Sequence, residues 1–257
     1  MIMQTFCFLD GIGTLKESHL WESGITDWNS FVRADAIKGI SLKRKLVHQS
    51  VLSRAKRALL ADDVGFFVRR LPMIHHWRLF EYYRDNCLFI DVEFSSVQNG
   101  FITCLSIYDG YRVITAVKDM TWDERALKEI FSRCKMIITF NGSVCDIPLL
   151  RKLFPAMIPS SVLHWDLRYS AAHLGFAGGL KEVERLLGIS RHNTIVDRLC
   201  GGDPYTLWRM FKGSGDRYYL NLFVEYNQED VLNLETIAQK LYPMLKEKAL
   251  DKDYQAK

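Results

Sequence analysis

The chain has 257 residues, of which 48% are hydrophobic and 25% charged, and a formal net charge of +4. These are the proportions of an ordinary soluble protein with one sizeable core and room for a small appended module. No apolar run approaches the roughly 20 residues needed to span a bilayer, and the apolar start Met1 to Leu9 meets Asp10 without a basic leader, so a cytoplasmic protein is expected.

The positive charge is concentrated at the N-terminal end. Residues 1–80 carry 12 Lys/Arg against 7 Asp/Glu, while the remainder carries 22 against 23. The densest stretch runs from Lys38 to Arg57 and includes Lys43, Arg44 and Lys45 with no acid among them. Taken alone it fits a solvated helix face as well as it fits a contact for a polyanion. This first part reads as a small all-helical module, residues 1–80, with Thr14 expected to cap a helix from Leu15 to Glu22 and Thr26 one from Trp28 to Ala34.

From Cys87 the pattern changes to strands. Cys87 to Phe94 is followed by a polar break at Ser95 to Gly100, then Phe101 to Tyr108, the turn signal Asp109-Gly110, and Val113 to Val117. That predicts a three-strand meander with a tight hairpin at its second turn. Trp122 to Cys134 has helical spacing, Met136 to Phe140 suits a buried central strand, and a helix from Val144 to Phe154 stops at Pro155. A short strand at Val162 to Asp166, helices around Leu180 to Leu187 and Tyr205 to Phe211, and a long helix from Tyr219 to Lys246 complete the order. The class is α/β, a mixed five-stranded sheet flanked by helices over residues 85–250, with the boundary between Pro72 and Asp85. The six cysteines form no Cys-x-x-Cys pair and read as free thiols, most of them buried, rather than as a zinc or disulfide framework.

Asp91 and Glu93 interrupt the apolar strand one strand repeat apart, so they project to the same face, opposite Ile90, Val92 and Phe94. Two neighbouring acids in a core strand cost several kcal/mol each unless something compensates, and their hard oxygens point to magnesium or manganese. Asp146 stands in the first turn of the helix after Asn141-Gly142, where a helix-start acid is unremarkable by itself. Tyr226 and Asp230 are four apart and share a face of the last helix, a spacing that is common by chance.

Together these residues, Asp-x-Glu in the first core strand, Asp after the Asn-Gly strand end and Tyr-x-x-x-Asp in the final helix, resemble the DEDD family of 3′ to 5′ exonucleases in its tyrosine subclass. The resemblance covers residues 87 to 245. The chain closely resembles the uncharacterised prokaryotic RNase H-like domains and, more distantly, the proofreading domain of family B DNA polymerases. Phe140-Asn141-Gly142 with Asp146-Ile147-Pro148, His164-Trp165-Asp166-Leu167 and Gly179-Leu180-Lys181-Glu182 also match. Cys145 departs from the aromatic that usually precedes the second-motif Asp, and Glu225, five before Asp230, disfavours the histidine subclass.

The resemblance implies an RNase H-like fold and two divalent ions, Mg2+ or Mn2+, about 4 Å apart. It implies that Asp91 bridges both ions, that Glu93 and Asp230 complete the nucleophile-side site, and that Asp146 serves the other. It also implies that Tyr226 orients the attacking water, and that a nucleic acid, DNA or RNA, is shortened from its 3′ end into nucleoside 5′-monophosphates. Asn141 is a candidate substrate contact or a cap of its own turn. Asp166 is expected outside the site, and His164, His173 and Lys181 are expected to serve packing or solvation.

Phe8 to Gly13, with Gly11-Ile12-Gly13 ahead of a helix and Gly24-Ile25-Thr26 after it, looks like a helix-hairpin-helix element. Gly11 and Gly13 would let the backbone approach a phosphate, with Lys43, Arg44 and Lys45 downstream; a packing turn without a ligand fits as well. Two other functions remain open at this point: an endonuclease of the RNase H or resolvase type, and a nucleic-acid-binding adaptor without turnover.

Overall fold

The sheet is built around one central strand, β1, Cys87–Phe94, whose residues from Cys87 to Ile90 are all buried. The structure, a computed structural model, describes residues 1–95, 100–191 and 203–251. Strands β2 (Ile102–Tyr108), β3 (Val113–Val117), β4 (Met136–Thr139) and β5 (Leu163–Asp166) join it in the order β3-β2-β1-β4-β5. β1 runs antiparallel to β2, with Asp91 opposite Ser106 and Glu93 opposite Cys104, and the register slips between Glu93 and Phe94. On its other side it runs parallel to β4 from Cys87 opposite Met136 to Phe89 opposite Ile138. The expected mixed five-stranded sheet flanked by helices is the architecture found.

The second turn of the meander is the expected hairpin: Asp109–Arg112 link β2 to β3, Asp109 N–H donates to Arg112 O (3.4 Å), and the Asp109 carboxylate accepts from the amides of Tyr111 (3.0 Å) and Arg112 (2.9 Å), with Gly110 at φ +92°.

Two compact units emerge from the chain. One comprises Met1–Arg84, Ser161–His164 and the chain from Tyr242 onward; the other comprises Asp85–Ser160 and Trp165–Leu241. Along the second unit, helices α6 (Glu124–Arg133), α7 (Asp146–Leu153), α8 (Leu167–His173), α9 (Leu180–Leu186) and Pro204–Ser214 follow the strands. The terminal helix, Arg217–Leu250, begins in this unit. Helix α6 shows how its sequence chooses a face: Asp123 caps the Ala126 amide at 3.0 Å while Leu127 and Phe131 turn inward.

The first unit holds helices α1 (Thr14–Glu22), α2 (Trp28–Arg33), α3 (Leu42–Leu60), α4 (Val64–Val68) and α5 (Phe80–Tyr83). Neither threonine caps as expected. Gly13 occupies the N-cap of α1 with Thr14 already helical. Asp27 displaces Thr26 because it forms a reciprocal box with Ser30, accepting from its amide at 2.7 Å while Asp27 N–H donates to Ser30 Oγ at 3.0 Å. Phe6, Phe8, Trp28, Phe31, Phe66 and Phe67 form the aromatic core.

Inside that core lies a buried ion pair, Arg78 to Glu17 at 2.6 Å, with Glu17 also accepting from Thr5 Oγ1 (2.6 Å) and the Phe6 amide (2.5 Å). Cys7, Cys87, Cys104 and Cys134 are buried free thiols, Cys145 is a partly exposed one, and Cys200 lies outside the described residues. Among the described residues no helix is long and apolar enough to cross a membrane.

Removing one partner of a buried ion pair strands the other charge. Glu17→Ala is expected to lower unfolding free energy in urea by about 3–5 kcal/mol; a change under about 1 kcal/mol would show that Arg78 finds other compensation.

Candidate metal centre

Three carboxylates converge on one point. Asp91 and Glu93 come from alternate positions of β1, and Asp230 from the terminal helix, each offering an oxygen within 4.8 Å of the others. Asp146, the first residue of α7, is buried and lies outside that triad, yet the Asp91 charge reaches its carboxyl. Pairing with β2, Asp91 opposite Ser106 and Glu93 opposite Cys104, keeps both acids on one face of β1.

All four carboxyls are pushed toward protonation. Burial raises Asp91 to about 6, against the pull of Arg191 and an Asn227 hydrogen bond. Burial also raises Glu93, and the charges of Asp91, Asp230 and Asp146 add to it. Asp230 rises through burial and Asp91 despite Arg191, and Asp146 through burial, Asp91 and Asp166. A set of hard oxygens that resists carrying its own negative charge fits a divalent cation.

The protein supplies part of the missing positive charge itself. Arg191 Nη2 lies 2.6 Å from Asp230 Oδ1 and pairs with Glu184 through Nε (2.6 Å) and Nη2 (2.9 Å), while Asn233 Nδ2 donates to Glu184 at 2.9 Å. Asn227 Nδ2 donates to Asp91 Oδ2 at 2.5 Å, and its own Oδ1 lies 3.4 Å from Cys104 Sγ. Sequence reasoning missed these groups. Asn227, fully buried, adjoins Tyr226 and sits three before Asp230 on an otherwise apolar stripe, which is a readable signal. Arg191 follows Gly188 in a polar stretch with no periodicity to mark it.

Tyr226 is buried, with Lys181 Nζ 5.1 Å and the Arg191 guanidinium 5.5 Å from its ring centroid. Lys181 therefore lies at this ring, where solvation was expected. Burial and the Asp230 charge raise the Tyr226 hydroxyl above its ordinary value, so it stays a neutral phenol that exchanges hydrogen bonds rather than a base.

Asn141 occupies left-handed backbone at φ +65°, its N–H donating to Asp166 Oδ1 (2.8 Å) and its Oδ1 accepting from Arg168 Nη1 (2.7 Å). Asp166 also receives the Ser143 amide (3.0 Å) and hydroxyl and caps α8 at Arg168 N (3.1 Å), so its oxygens are occupied by the turn. Gly142 is required there, because a Cβ would stand 2.5 Å from the Thr139 side chain.

The remaining expected contacts lie in the first unit. Gly11 has φ +71° and a Cβ on it would collide with the Arg44 guanidinium, which donates to Asp10 O at 3.3 Å. Gly13 starts α1, and Lys43 and Arg44 are exposed. Lys45 is buried, on the inward face of α3 with His48 and Leu52, so it is withdrawn from the surface on which a phosphate contact was expected.

Residues 88–242 match the RNase H superfamily. The chain belongs to that superfamily. Among solved structures, the family B DNA polymerase from the hyperthermophilic archaeon Pyrobaculum calidifontis aligns at 17% identity and a TM-score of 0.49, over 64% of this chain and 25% of that one. The aligned part is thus about a quarter of the polymerase. No match is found among curated proteins.

Because the folded cluster holds protons that the unfolded chain releases, with Asp91 near 6 against 3.8, the metal-free protein gains stability at acidic pH. That gain is lost as pH rises from about 4 through the raised values near 6 and above. Chemical denaturation in chelator across this range should show the decline, and added Mg2+ should restore stability at neutral pH. Metal-free stability that rises over the same interval would contradict the cluster's charge balance.

Proposed function

We propose that this protein is a metal-dependent 3′ to 5′ exonuclease of the tyrosine DEDD type, acting on DNA or RNA. The observation that carries the reading is the convergence of Asp91, Glu93 and Asp230 within 4.8 Å in an RNase H superfamily domain, with Asp146 outside the triad but within reach of the Asp91 charge.

Asp91, Glu93, Asp146 and Asp230 would hold two Mg2+ or Mn2+ ions. Bound there, such ions neutralise the scissile phosphate, lower the pKa of a water and stabilise the leaving 3′ oxygen. Asn227 fixes the rotamer of Asp91 by donating to Oδ2. Tyr226, kept neutral by its surroundings, orients the attacking water by hydrogen bonding. Asn141 presents a polar side chain at the β4 rim, steadied by Arg168, where a substrate sugar or phosphate can be met. The N-terminal helices, with Gly11, Gly13, Lys43 and Arg44, would grip the nucleic-acid backbone in the manner of a helix-hairpin-helix module.

Digestion of 5′-labelled and 3′-labelled oligonucleotides, DNA and RNA, with Mg2+ or Mn2+ tests this. The expected result is a descending ladder from the 5′ label and immediate mononucleotide from the 3′ label. Both should fall by at least about 100-fold in Asp91→Ala, since metal assistance supplies several kcal/mol. Internal cuts would replace the exonuclease by an endonuclease, and tight binding without metal-dependent cleavage would replace it by an adaptor.

A further inference from the structure

A second charged feature lies in the helical unit, apart from the glycine turn and Arg44. Arg54 and Arg57 on α3 and Arg69 at the end of α4 line one open cleft of about 340 Å3, together with Asp63 and Phe66. All three arginines are exposed, and among the described residues none of the three forms an ion pair. Arg54 and Arg57 are three apart on one helix face, where like charges cost a few tenths of a kcal/mol, about 0.2–0.5.

The acid in the cleft offsets one of the three charges without forming an ion pair with any of them. Asp63 Oδ1 caps α4 by accepting from the Phe66 amide at 3.3 Å. Gly65 keeps the wall open for Arg69, since a Cβ there would stand 3.0 Å from its Nη1. Arg70 adds a fourth guanidinium beside the same wall, 5.3 Å from the Phe66 ring centroid. Three exposed guanidinium forks around one open cleft match phosphate oxygens and fit a chain of phosphates better than a small apolar ligand.

We propose that Arg54, Arg57 and Arg69 form a phosphate-binding cleft that holds the phosphodiester backbone of the nucleic-acid substrate without reading its bases. This deepens, and rests on, the nuclease reading. Each arginine neutralises one backbone phosphate and displaces its counterion, so affinity through the cleft depends on salt and not on sequence.

The test measures binding apart from cleavage. Full-length protein carrying Asp91→Asn, in chelator, is titrated into labelled single-stranded DNA and RNA across a salt series and compared with the same chain also carrying Arg54→Ala, Arg57→Ala and Arg69→Ala. The expected result is a log affinity against log salt slope shallower by about two to three, with affinity at low salt reduced at least about tenfold for every sequence tried. A triple Lys variant should keep most of the slope while losing part of the affinity, and because the three side chains are exposed, melting temperatures of all variants should agree. Unchanged slope and affinity in the alanine triple, in a protein whose Asp91 form cleaves, overturns the cleft and leaves the nuclease reading standing. A protein that neither binds nor cleaves nucleic acid removes both.

Discussion

Mutual repulsion among buried carboxylates is the constraint around which the second unit is arranged. Pairing of Asp91 and Glu93 with β2 fixes the two acids on one face of β1 at the strand repeat. Asp230 reaches them from the terminal helix. Left alone, such a set pushes its members toward the protonated form, as the raised positions of Asp91, Glu93, Asp146 and Asp230 record. A fold keeps an arrangement of this kind when a cation completes it, and Arg191 and Asn227 show how much of the compensation side chains supply.

The same arrangement divides labour among the neighbours. The carboxylates are the candidate ligands, Asn227 and Arg191 hold two of them by hydrogen bonds and an ion pair, and Tyr226 remains a neutral phenol beside them. The Asn141–Ser143 turn is tied down separately, by Asp166 at the end of β5, an acid that serves the rim and stands outside the metal-candidate triad. In the helical unit the arrangement differs: Arg54, Arg57 and Arg69 stay exposed, while the buried Arg78 spends Nη1 on Glu17 and Thr5.

Much of this was legible in the sequence because burial and periodicity act locally. Two acids at i and i+2 in an apolar strand can be assigned to one face with no structure, and the strand and helix order gave the α/β class. What escaped depended on competition or distance. Thr14 and Thr26 lost their caps to Gly13 and Asp27, the latter through a reciprocal bond with Ser30 that the helix-start pattern left undecided. Lys45 read as part of a basic face until the helix phase set by His48 and Leu52 turned it inward. Arg191, in an aperiodic segment, meets Asp230 only through tertiary folding.

Direct cation binding tests the central claim most sharply. Mn2+ titrated into the full chain at neutral pH, followed by electron paramagnetic resonance, should show bound ion in the wild type and a loss of binding in Asp91→Asn and in Asp230→Asn, with both variants folded by circular dichroism. Equal binding by all three proteins, or none by the wild type, would contradict the account of the acidic cluster as a metal centre.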